Sequence, residues 1–136
     1  MAKPTRRAAA SREQARVRLR AAQAYIEVAE VVLDDKRLAF PGVAAGLAVL
    51  AGIAASDAIC ARRLGEIHRG EDHRAAAGLL EQATPDGKAL AAKLRRLIDV
   101  KDQAHYGLVV VAPRTARDAV RWSQHLVDRA REEVER

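Results

Sequence analysis

Between Arg37 and Asp57 the chain carries no charged residue, whereas elsewhere charges recur every few positions. This run lies in PGVAAGLAVLAGIAASDAICARRLG, Pro41 to Gly65. It predicts a helix buried on most of its circumference, around which the other elements pack. Val43, Leu47, Leu50, Ala54, Asp57, Ala61 and Leu64 alternate in four-residue and three-residue steps, and we take them as its inward seam. Asp57, with Ser56 beside it, then sits on a buried face. An isolated buried charge is very costly, so Asp57 requires a partner.

The same periodicity predicts the neighbouring elements. A first helix spans about 11–34, with Ser11 as N-cap, Gln14 completing a capping box, and an inward stripe of Leu19, Ala22, Ile26, Ala29 and Leu33. Its arginines, Arg12, Arg16, Arg18 and Arg20, are expected on solvated faces. Pro41 suits the first turn of the second helix, and Gly65 suits its stop, the alternative being one more turn through Glu66 to His68. Asp72 caps a short third helix over 73–82. Pro85-Asp86-Gly87 is a turn signal, and a fourth helix follows over 87–106 with Leu90, Leu94, Leu97, Lys101 and Ala104 on its stripe. Leu108 to Val111 reads as an extended linker packed on the bundle. A fifth helix runs over 113–134 with Ala116, Val120, Ser123, Val127, Ala130 and Val134 inward. Short loops between these elements predict an all-α fold, an antiparallel up-and-down bundle of about five helices. One domain is expected over 11–136, preceded by a disordered basic arm at 1–10.

Composition narrows the classes. The formal charge of +6 favours an anionic partner such as RNA, DNA or a nucleotide. The start of the chain lacks the apolar core of a signal peptide. The apolar run is long enough to span a membrane, yet it is rich in Ala and Gly and leads directly into Asp57, Arg62 and Arg63. It therefore reads as the buried helix of a soluble, cytoplasmic protein with no membrane contact. Cys60, the one cysteine, fits a small core residue. No zinc spacing, P-loop, GxGxxG or nucleophile elbow is present, so no metal or cofactor is expected.

Two polar features remain. One is Asp57. The other is KDQAHYG, Lys101 to Gly107, where Lys101 falls on an apolar stripe and His105 shares its face at i+4. Either Lys101 pairs with Asp57 as a structural clasp, or Lys101, His105 and Tyr106 line a cleft. In that cleft His105 would move protons and Lys101 would hold a phosphate. His73 opens the third helix. His68 and His125 read as surface residues. Trp122 reads as a cover for the bundle edge or an interface, or as a platform for a base.

The order of these pieces resembles the HEPN domain family: a long amphipathic helix, the alanine-rich AASDAICARRLG, then DHRAAAGLL, then KDQAHYG closing the fourth helix. The resemblance implies a helical bundle that dimerises. It implies either a non-catalytic module binding a nucleotide, RNA or a partner protein, or a metal-independent ribonuclease toxin paired with a nucleotidyltransferase. We take the non-catalytic module as the main expectation. Catalytic members carry an arginine four to six residues ahead of a histidine, with the site formed at the dimer interface. Here Lys101 replaces that arginine and three residues separate it from His105, whereas Arg62 and Arg63 stand at matching distances from His68 but on the second helix. The resemblance thus points to His105 and Lys101 as catalytic candidates, and to Tyr106, Asp102, His73 and Arg69 as binding candidates. Asp57 and Ser56 are read as buried polar residues of the second helix.

Overall fold

A computed structural model describes residues 7–70, 72–106 and 109–136, the side chains of residues 105 and 106 excepted. The elements are β1 (Arg7–Ala9), α1 (Arg12–Leu33), α2 (Phe40–Leu64), β2 (Glu66–His68), α3 (His73–Ala83), α4 (Gly87–Tyr106) and α5 (Pro113–Val134). The expected helices are all present. Ser11 and Gln14 exchange the reciprocal bonds of a capping box at the start of α1, at 3.1 and 2.7 Å. The Asp72 carboxylate caps α3 by accepting from Arg74 N–H at 3.1 Å.

α2 is the axis of the bundle and touches every other helix. Arg18, near the start of α1, meets Asp57, near the end of α2, so these two helices run antiparallel. Leu97 of α4 lies against Gly52, and Ala104 lies beside Gly42, so α4 also opposes α2. Leu126 lies at Gly52 and Glu133 at Arg63, so α5 runs with α2. The four long helices therefore alternate up, down, up, down. α3 is a shorter hairpin partner of α4, joined to it by the Arg74–Asp99 and Glu81–Arg95 ion pairs.

Phe40–Leu64 is long and apolar enough to cross a membrane. In this fold its neighbours cover most of it, and the cover reveals a correction. Ala44, Ala45, Ala48, Val49, Ala51, Ala55, Ser56, Ala58 and Ile59 are buried. Val43 and Leu50, assigned to the inward seam, are 49% and 42% exposed, and Leu64 is exposed as well. Small side chains let neighbouring helices approach α2 closely, so its alanine face became the core and its bulky seam was left outward. A Cβ at Gly52 would lie 2.5 Å from Leu97 Cδ1, which shows how close that approach is.

Two further expectations give way. From Arg7 onward the basic arm is a strand, not disorder; residues 1–6 lie outside the described residues. β1 pairs antiparallel with β2 in the register Arg7↔His68, Ala8↔Ile67, Ala9↔Glu66. Glu66–His68 is therefore a strand and not a final helical turn, because Gly65 closes α2 by donating its N–H to Ala61 O at 3.1 Å. The linker does pack on the bundle through Val111, which lies over Gly42, but Val109 and Val110 face outward.

At the turn between α3 and α4, a Cβ on Gly87 would run into the backbone carbonyl of Glu81, whereas one on Gly78 would meet open space. Gly87→Ala should therefore lower stability by about 1–3 kcal/mol through overpacking. Gly78→Ala, inside α3, should raise it by about 0.5–1 kcal/mol. Urea unfolding of the two variants checks the contrast, and equal midpoints would contradict it.

Candidate functional site

The Asp57 side chain is 14% exposed and its partner is Arg18, whose Nε donates to Oδ2 at 3.1 Å and whose Nη2 lies 3.0 Å from the same oxygen. This corrects both the Lys101 assignment and the placing of Arg18 on a solvated face. The reason is axial height. Leu97 meets α2 at Gly52, and the two helices run in opposite directions. Lys101 therefore lies a turn beyond that crossing and Asp57 more than a turn before it, about 13 Å apart along the axis. Arg18, Ala21 and Tyr25 follow three-four spacing alongside the α1 core stripe. That arrangement was the sequence signal for the true partner.

Burial raises the Asp57 carboxyl above its ordinary range; Arg18, by charge and hydrogen bond, and the nearby His68 act in the opposite direction without cancelling this. Ser56 is fully buried next to it. Cys60, one turn on, has its thiol pushed up to about 12, first by burial and then by the Asp57 charge. It is thus an inert core thiol and not a nucleophile. His68 was expected at the surface. It is half-buried in β2, both ring nitrogens enclosed and without a hydrogen-bond partner among the described residues. The spacing of Arg63 and His68 does not make a shared site, because Glu133 of α5 accepts from Arg63 Nη1 at 3.2 Å. Arg62 likewise turns to the chain end, donating to Arg136 O at 3.4 Å.

The other candidates divide. His73 is half-buried and engaged at the first turn of α3. Asp102 is exposed on α4, close enough to Arg74 to act on its charge, so α3 and α4 bring the neighbourhoods of His73 and Asp102 together. Arg69 is exposed after β2. Lys101 is half-buried and makes no ion pair among the described residues. The side chains of His105 and Tyr106 lie outside the described residues. No group of His, Cys, Asp and Glu able to hold a metal occurs among those described.

The feature that sequence reasoning missed is an open apolar face. The α2 seam is roofed at its C-terminal end by Arg18 and the β1–β2 pair. At its N-terminal end it floors a hollow of about 350 Å³ lined by Ala39, Gly42, Val43, Gly46, Leu47, Leu50 and Ala104. A second hollow of about 240 Å³ shares Ala39, Gly42 and Ala104 and extends to Val109 and Val110. Leu38, Val109 and Val110 are 75%, 82% and 52% exposed.

The Asp57 environment generates a prediction with a defined sign. A carboxyl raised by folding binds its proton more tightly in the folded state. It therefore adds stability below its unfolded pKa and loses that contribution as pH rises through its folded value. Asp57→Asn, whose amide stands in for the protonated acid, should match wild type below about pH 4 and become the more stable of the two toward pH 7. Urea titrations at both pH values measure this, and a wild type that gains on the variant toward neutrality would show that Arg18 dominates the site.

No protein-family model matches the chain, and neither does any curated protein.

Proposed function

We propose that the chain is a HEPN-like, non-catalytic docking module that works as a homodimer, with a second copy covering the bare N-terminal half of α2. The observation that carries this reading is the continuous apolar face of Leu38, Val43, Leu47, Leu50, Val109 and Val110. Such faces on a protein surface mark interaction sites. The face suits its own copy. Gly42 and Gly46 line the hollow beside the knobs Val43, Leu47 and Leu50, so a two-fold axis sets the knobs of one copy opposite the hollow of the other. Neither partner brings a charge from α2 into the contact, because none lies between Arg37 and Asp57. A cytoplasmic nucleotide, RNA or nucleotidyltransferase partner would then bind the assembled dimer.

The alternative reading, a metal-independent ribonuclease, draws support from Lys101. It lies free of Asp57, one turn before Ala104, which lines the hollow. A dimer on this face would place Lys101 of each copy near the rim of the contact, where its ammonium would meet a phosphate.

Sedimentation separates these ideas in stages. Wild-type protein should sediment as a dimer at micromolar concentration, and Leu47→Asp as a monomer of unchanged helicity. A monomeric wild type, or a dimeric Leu47→Asp, overturns the docking reading. Incubating wild type and His105→Ala with RNA tests the alternative, which requires cleavage by the first and not the second.

A further inference from the structure

α5 carries its charges in the wrong order for a helix. Its first turn has no acidic residue and Ala112 supplies no side-chain cap. In that place stand Arg114 and then Arg117, at the end where the helix dipole is positive and cations are disfavoured. Arg121 continues the row, so three exposed arginines at steps of three and four share one face over about 10 Å. Arg114 and Arg117 make no ion pair among the described residues, and Asp118, on Arg121 at 2.8 Å, is the one acid among them. Arg129, by contrast, is held by Asp86, Glu132 and Glu133, and Arg63 by Glu133. Nothing in the folding of α5 explains the arginine row, and a local rule broken without structural gain marks function.

Beside the row is Trp122, half-buried with its inner side on the core. Arg96 of α4 lies over the indole, its guanidinium carbon 5.7 Å from the ring centroid, near the outer limit of a cation–π contact. Arg96 is exposed and makes no ion pair among the described residues. An aromatic platform, an exposed planar cation above it and a flanking row of arginines supply what a flexible polynucleotide needs: a stacking face for a base and cations for successive phosphates.

We infer that the α4–α5 face binds single-stranded nucleic acid, with a base stacked at Trp122 and Arg96 and phosphates held along Arg114, Arg117 and Arg121. The uncapped N–H groups at the start of α5 add to the attraction for phosphate. A duplex, its bases already stacked, lacks a free face for the indole. This surface is separate from the apolar face of α2, so the inference stands independently of the dimer.

Trp122 is the only tryptophan, which makes the test direct. A short single-stranded oligoadenylate should quench its fluorescence, and the matching duplex should not. By anisotropy of a labelled oligoadenylate, Trp122→Ala should weaken binding about tenfold. Trp122→Phe, which keeps an aromatic face, should lose less. Arg114→Ala, at an exposed position, should weaken binding and reduce the steepness of the log–log salt dependence by about 0.7. Arg12→Ala, at the other end of the bundle, should bind as wild type. Absence of quenching, equal quenching by duplex, or equal losses from Arg12→Ala and Arg114→Ala would each overturn the inference. Leu47→Asp, made to disrupt the α2 face, should leave the quenching intact, so failure of one reading is distinguishable from failure of the other.

Discussion

The structure depends on how little side chain α2 presents to its neighbours. A central helix of Ala, Gly and Ser buries modest apolar area per residue but allows α1, α4 and α5 to approach closely. Close approach multiplies dispersion contacts along the whole length of each pair. It also sets demands on the partners. Leu97 and Leu126 converge on Gly52, where the absence of a Cβ makes the room. Val49 and Ile59 fit into that core, but Val43, Leu50 and Leu64 face outward, so the packing rule that builds the bundle also leaves the apolar seam available.

The seam is treated differently at its two ends. Toward the C-terminus, Asp57 interrupts it, and Arg18, β1 and β2 close over that region. Toward the N-terminus no element among the described residues covers Val43 and Leu50, and Leu47 is half-buried beside them. The polar half thus finds its partner within the chain, and the apolar half is the surface we assign to a second copy. The arginine row of α5 is a separate solution, in which Arg114 and Arg117 stand near the positive end of the helix dipole with no ion pair among the described residues.

Element boundaries were legible in the sequence because each is marked by local chemistry: the Ser11–Gln14 box, Pro41 and Pro113 in first turns, Asp72 as cap, Pro85-Asp86-Gly87 as turn. The stripes of α1, α4 and α5 were legible too, since large apolar residues at helical spacing have one sensible direction. On α2 that logic failed. With apolar residues all round, periodicity cannot choose a face, and the reading preferred large residues where close packing selected small ones. The Asp57 partner was misplaced for a related reason. Sharing a stripe says nothing about height along the bundle, and antiparallel α4 carries Lys101 away from Asp57. The β1–β2 pair was invisible because two three-residue strands carry no period worth reading.

The central claim is that the alanine face of α2 is the close-packed core. Urea unfolding of Ala48→Leu, at a fully buried position, tests it most directly. The account predicts a loss of about 1–3 kcal/mol from overpacking. An unchanged or raised midpoint would contradict it, by showing that the face has room for the large side chain.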